Sequence, residues 1–193
     1  MSSTAKPHIP ATVELEAALA HERLNRRKNR AFARAIGVIA VVCAVAVLVA
    51  MLLMPVLRIY GDSMAPTLRD GDIVVSVSVA DLATGDMVAF YYNNQILVKR
   101  VIASSGDWVD ISGEGVVTVN GRILDEPYVT DPSMGNCDIE LPYQVPESRV
   151  FVMGDHRSVS IDSRNTSVGC VADEQIVGKL MLRIWPFAGI GSL

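Results

Sequence analysis

The chain has 193 residues, 50% of them hydrophobic but only 6% aromatic, with 17 Lys and Arg against 21 Asp and Glu. That length supports one or two small domains. The apolar content excludes a disordered chain, and three cysteines are too few for a disulfide-held scaffold.

The formal net charge of −4 hides a split along the chain. Residues 1–34 carry seven bases and three acids, a net +4. The segment Val13–Arg34 reads as a helix with a sparse apolar stripe, suited to a solvated position beside anionic headgroups. From Ala35 to Leu57 no charge interrupts 23 positions. At ~1.5 Å per residue this is roughly 34 Å of helix, enough to cross a bilayer core of about 30 Å. A cleaved leader would have a shorter apolar region followed by small residues; the run here ends in LLMPVLRIY, which predicts a retained anchor. The Arg and Lys cluster before the span, with Arg58 alone close after it, predicts that residues 1–34 face the cytoplasm. Residues 58–193 then lie outside. The sequence thus divides into a basic segment (1–34), a membrane helix (35–57) and an extracytoplasmic domain (58–193) at the plasma membrane.

That last part carries ten bases and eighteen acids, which argues against a nucleic-acid partner. Its pattern is short runs rich in β-branched residues: Ile73–Val79, Met87–Tyr92, Ile96–Ala103, WVDI, VVTVN, Arg149–Met153 and Ile176–Ile184. Gly-Asp, Asn-Asn, Asn-Gly and Pro separate them. The reading is a mainly β, compact antiparallel domain closing as a barrel or sandwich. Asp125–Ser148, with four prolines, reads as a loop-rich excursion.

The three histidines are scattered and no cysteine pair has ligand spacing, so neither a metal nor a cofactor is expected. Three segments can carry chemistry. In YGDSMAPTLRDGD, Ser63 follows a Gly-Asp turn only six residues past the expected span; alone, such a serine is ordinarily just a turn residue bonding its own backbone. Alternation in ILVKRVIA places Lys99 between Leu97 and Val101 on one strand face. Burial there disfavours the ammonium and lowers its pKa, leaving an amine that can take a proton from a hydroxyl. An edge-strand lysine reaching out to solvent fits the same pattern. Finally, Val150–Val171 runs from a strand into a loop with Asp155, His156, Arg157, Ser160, Asp162 and Arg164. These form either a network that fixes neighbouring side chains or a solvated charged loop.

Taken in order, Ser63-Met64-Ala65-Pro66-Thr67-Leu68, Lys99-Arg100-Val101-Ile102 and Gly154-Asp155-His156-Arg157…Ser160…Asp162-Ser163-Arg164 closely resemble the motifs of the bacterial type I signal peptidases. These are membrane-anchored Ser/Lys endopeptidases of peptidase family S26. The resemblance implies a signal-peptidase-like β fold and cleavage of secretory preproteins after small residues, one and three positions before the cut. It implies Ser63 as nucleophile and Lys99 as general base, with Ser160 hydrogen-bonding that lysine. Asp162, Arg164 and Arg100 would hold the site by charge pairing. The Ser63 backbone N–H would serve the oxyanion. A second donor is not assigned, because Gly61 stands where some relatives carry a hydroxyl. His156 departs from the usual asparagine.

Membrane lipid is an expected partner, through Tyr60, Met64 and Pro66. Two other classes compete: a catalytically silent scaffold of a secretion or pilus complex, and a self-cleaving regulator, for which 34 residues are too short a DNA-binding head. Cys137 and Cys170 share the outer side, where a disulfide is permitted.

Overall fold

The computed structural model describes His21, Lys28 and residues 32–49, 54–78 and 81–193. Most of the basic segment lies outside the described residues; His21 and Lys28 are helical. The chain divides into two units, Met1–Ala50 and Met51–Leu193.

In the first unit, helix α1 (Phe32–Val49) is apolar and long enough to cross a membrane, with every residue exposed within the chain. It is shorter than the expected 35–57 span at its far end. Val56 and Leu57, counted there as membrane helix, belong instead to strand β1 (Val56–Arg58). Pro55 explains the change: it cannot supply a helical N–H, and it pushes the preceding residue towards extended backbone. The carbonyl of Pro55 then accepts both the N–H and the hydroxyl of Ser76, tying the entry of β1 to its neighbour.

Among its described residues the second unit builds its regular structure from β-strands and two short 3₁₀ turns, and its strand pairs are antiparallel. After β1 come β2 (Ile73–Val77), β3 (Met87–Tyr92), β4 (Gln95–Ala103), β5 (Trp108–Ile111), β6 (Val117–Val119), β7 (Arg122–Ile123), β8 (Tyr143–Gln144), β9 (Arg149–Met153), β10 (Val171–Ala172), β11 (Ile176–Trp185) and β12 (Gly191–Ser192). The large sheet runs β1-β2-β11-β3-β4-β9-β10, with β12 added to β11, and the small sheet runs β7-β6-β5-β8. The mainly β, antiparallel reading holds; among the described residues no pairing closes the large sheet into a barrel, and its path is open, ending at β1 and β10. The excursion Asp125–Ser148 is not all loop, since it returns β8 to pair with β5.

Local chemistry accounts for the hairpins. Asn93 and Asn94 both sit at positive φ (44° and 63°) and join β3 to β4 as a two-residue loop. The mirror-image turns that suit strand twist require that conformation, and asparagine tolerates it. Asn120-Gly121 repeats the solution between β6 and β7.

Strands β3 and β4 are covered on both faces. Val88, Phe90 and Val101 pack with Val150, Val152 and Val171 on one side. On the other, Met87 and Ala89 pack with Ile59, Met64, Leu68, Val74 and Leu180. A third cluster, around Phe151, Ile102 and Val109, joins the small sheet to the ends of β4 and β9. Met64 is only 2% exposed, so its expected contact with lipid is ruled out by burial, whereas Tyr60 is 75% exposed and Pro66 is also at the surface. Cys137 and Cys170 are both free thiols.

Candidate active site

Beyond β1 the chain turns at Gly61, whose φ of +80° suits glycine and whose N–H donates to Asp70 Oδ1 at 2.9 Å. A tight turn follows, in which Ala65 N–H donates to Asp62 O and Leu68 N–H to Met64 O. The buried side chains of Met64 and Leu68 pin this turn to the core, which leaves Ser63 half-buried at its start. The Ser63 N–H makes no hydrogen bond among the described residues.

Lys99 lies in the middle of β4, paired with Val88 of β3, and is 3% exposed. Its Nζ donates to Ser63 Oγ at 2.7 Å across 36 residues of chain. Burial is the main reason its pKa falls from 10.5 to about 8. Asp162 and Asp155 oppose that shift, while the Arg164 charge adds to it.

Asp162 and Arg164 form a fully buried two-point ion pair, with Nε to Oδ1 and Nη2 to Oδ2 both at 2.8 Å. The remaining capacity of each is used. Gly154 N–H donates to Asp162 Oδ2, and Arg164 donates to the carbonyls of Met134 and Arg157. A buried ion pair satisfied this fully holds its loop without stranding a charge. Arg100, next to Lys99 but on the opposite face of β4, grips Asp155 at 2.8 and 2.6 Å and Gly85 O at 2.8 Å. Asp155 in turn accepts the Thr67 hydroxyl, which couples the turn after Ser63 to the turn after β9.

One expected contact is absent. Ser160 Oγ is buried but has no hydrogen-bond partner, so the bond to Lys99 implied by resemblance is not formed. The Ser160 N–H is held by His156 O, and its side chain lies against Gly154, while Lys99 is taken up by Ser63. His156 contacts the Ser63 turn through carbonyls rather than through the Ser63 hydroxyl: Nδ1 lies 3.2 Å from Asp62 O.

Several further residues contribute whose roles the sequence leaves unassigned. Gly154 is one: an added Cβ would collide with Ser160 Oγ and the Ser63 carbonyl. Glu126 and Tyr128, from the proline-rich excursion, are others. Glu126 pairs with buried Arg157, and the Tyr128 ring lies 3.9 Å from the Arg100 guanidinium carbon. Glycine in the third motif hints at the close approach. Nothing local marks Glu126 or Tyr128, because their partners are about thirty residues away in sequence.

A groove of about 520 Å³ opens beside Ser63 and Lys99, walled by Leu57–Tyr60 on one side and Gln95–Val98 on the other. Among the described residues no cluster of metal-ligating side chains occurs. Burial pushes the Cys170 thiol up to about 11, which leaves it a poor nucleophile.

The family model described as "Signal peptidase, peptidase S26" matches residues 32–185. Signal peptidase IB of Staphylococcus aureus (strain COL) is 39% identical over 150 residues, covering 67% of this chain and 77% of that one. Thylakoidal processing peptidase 1 of Arabidopsis thaliana is 35% identical over 141 residues, covering 64% of this chain and 40% of the relative. Among solved structures, a signal peptidase I from Enterococcus faecalis V583 is 28% identical, covers 53% of this chain and 99% of that one, and has a TM-score of 0.44.

Proposed function

The chain belongs to the signal peptidase family, peptidase S26, and from that premise we propose that Ser63 and Lys99 are its catalytic pair, cutting signal peptides from secretory preproteins. The observation that carries the reading is the 2.7 Å contact between Lys99 Nζ and Ser63 Oγ, made by a lysine whose pKa is lowered to about 8. An amine of that pKa is substantially neutral near pH 8 and can accept a hydroxyl proton. A silent scaffold would leave this buried amine a stability cost without a purpose.

In the proposed reaction Ser63 Oγ attacks the scissile carbonyl carbon as its proton moves to Lys99 Nζ. The carbonyl oxygen becomes an oxyanion, which the unused Ser63 N–H stabilises. Lys99 then protonates the departing amine, leaving an acyl-serine. Water, deprotonated by the same lysine, attacks that ester and restores the hydroxyl. Arg100, Asp162 and Arg164 are supporting residues that hold the two loops in register, and Ser160 closes the space beside them.

Substrate enters the groove. Among the described residues, the Leu57–Tyr60 segment uses one edge, towards β2, and Gln95–Lys99 uses the edge towards β3. An extended peptide between them can add backbone hydrogen bonds to both free edges. Helix α1 anchors the protein in the plasma membrane, with the basic segment cytoplasmic and the catalytic unit outside, by the charge asymmetry of its flanks. The acidic excess of residues 58–193 favours a protein substrate over nucleic acid.

The test is incubation of the detergent-solubilised full chain with a secretory preprotein and mass mapping of the cut. Cleavage after a small residue is expected, lost in Ser63→Ala, Lys99→Ala and Lys99→Arg, since guanidinium stays protonated. Cleavage that persists in Ser63→Ala overturns the reading.

A further inference from the structure

His156 holds the carbonyls of both Asp62 and Ser63, one in the peptide before Ser63 Cα and one in the peptide after it. Its backbone N–H donates to Ser63 O at 3.1 Å, and its ring Nδ1 lies 3.2 Å from Asp62 O. A carbonyl oxygen can only accept, so Nδ1 carries the proton and Nε2 is left as the other ring nitrogen. The same Asp62 carbonyl also accepts from Ala65 N–H at 3.0 Å. Ser63 N–H, by contrast, has no partner among the described residues, so nothing at its own end fixes its direction.

The two ends of that peptide are not independent. In a trans peptide the C=O and N–H point in opposite directions within one plane, so a carbonyl fixed at one end aims the N–H at the other. Hydrogen bonds to the carbonyl also polarise the unit and strengthen its N–H as a donor. We propose that the His156 ring is a positioning residue for the oxyanion donor, acting through the Asp62–Ser63 peptide. This rests on the reading of Ser63 as nucleophile and goes beyond it, because it gives the histidine a transition-state role without making it a base.

The ring and backbone contributions separate experimentally, since Ala, Phe and Asn all keep the position-156 N–H bond to Ser63 O while changing the ring. Steady-state cleavage of a short peptide substrate by the full chain in detergent is compared for wild type, His156→Ala, His156→Phe and His156→Asn. The Ala and Phe variants lose the donor and are expected to drop in kcat by about 10-fold to 10²-fold, with KM near its original value. Asn offers an amide N–H in place of Nδ1–H and is expected to recover most of the rate. All variants keep the same alkaline-rising limb, because Lys99 remains the base.

A second measurement does not depend on how much protein is folded. A substrate-like peptide aldehyde adds to Ser63: the Oγ–C bond forms, the C=O π bond breaks, and the serine proton moves to Lys99. Its inhibition constant should rise in the Ala and Phe variants in step with the fall in kcat. The matching peptide amide, which forms no such adduct, should bind as before. The proposal is overturned by an unchanged kcat in His156→Ala, by His156→Asn as slow as His156→Ala, by equal weakening of aldehyde and amide, or by loss of the alkaline limb. Ser63→Ala and Lys99→Ala run alongside; activity in either condemns the Ser/Lys pair itself, whatever the histidine variants do.

Discussion

Lys99 is the residue on which chemistry and stability collide. Only its neutral form can take the Ser63 proton, so activity should rise with pH through a midpoint near 8, falling about tenfold per unit below it. A pH–rate profile of kcat on a peptide substrate checks this; a limb centred at pH 6–7 would point to an imidazole instead. The same shift is a folding cost. Lysine unfolded titrates near 10.5 and folded near 8, so the unfolded chain binds the extra proton between those values. The cost is therefore full below pH 8 and fades as pH rises towards 10.5. The 2.5-unit difference corresponds to roughly 3 kcal/mol. Lys99→Met should be inactive yet more stable at pH 7, with that advantage shrinking at alkaline pH in denaturant titrations.

At the level of elements, the site is a meeting of three segments: the turn after β1, the middle of β4 and the loop after β9. Gly154 is where the first and third touch. Gly154→Ala should force Ser63 and Ser160 apart, and its signature is a kcat loss larger than any loss of melting temperature. Arg164→Ala strands the Asp162 carboxylate in a fully buried site, so it should destabilise the catalytic unit by about 3–5 kcal/mol in denaturant unfolding. The strands themselves were legible because alternation is local: ILVKRVIA alone puts Lys99 on a strand between Leu97 and Val101, while its burial depends on what packs over that face. The hairpin turns were legible for the same reason, through Asn-Asn and Asn-Gly. The orphaned Ser160 hydroxyl was not, because its partners depend on how a loop packs rather than on spacing. Nor was the Glu126–Arg157 pair, whose members come from different loops. The end of the membrane helix was misread because hydropathy continues smoothly past Pro55 into β1 while backbone geometry does not.

For the whole molecule, anchoring and catalysis separate along the chain, which makes them separable in experiment. A protein lacking residues 1–50 should retain cleavage of a short soluble peptide while losing rate on a preprotein embedded in vesicles, because tethering raises effective concentration only when both partners share a bilayer. Equal retention on both substrates would remove the anchor from the mechanism. The sheet order carries a consequence in time. Strands β1 and β2 support the Ser63 turn, β3 and β4 carry Lys99, and among the described residues the strand pairing between these halves runs through β11. Leu180 of β11 packs with Ile59, Met64 and Leu68, and Arg183 donates to Thr67 O, so this strand also shores up the serine turn. Yet β11 follows β1 to β10 in the chain. A nascent chain emerging in order from its N-terminus holds Ser63 and Lys99 well before it holds the strand that unites them. Proteolytic competence thus waits on β11, and a chain that stops short of it lacks the strand that joins β2 to β3.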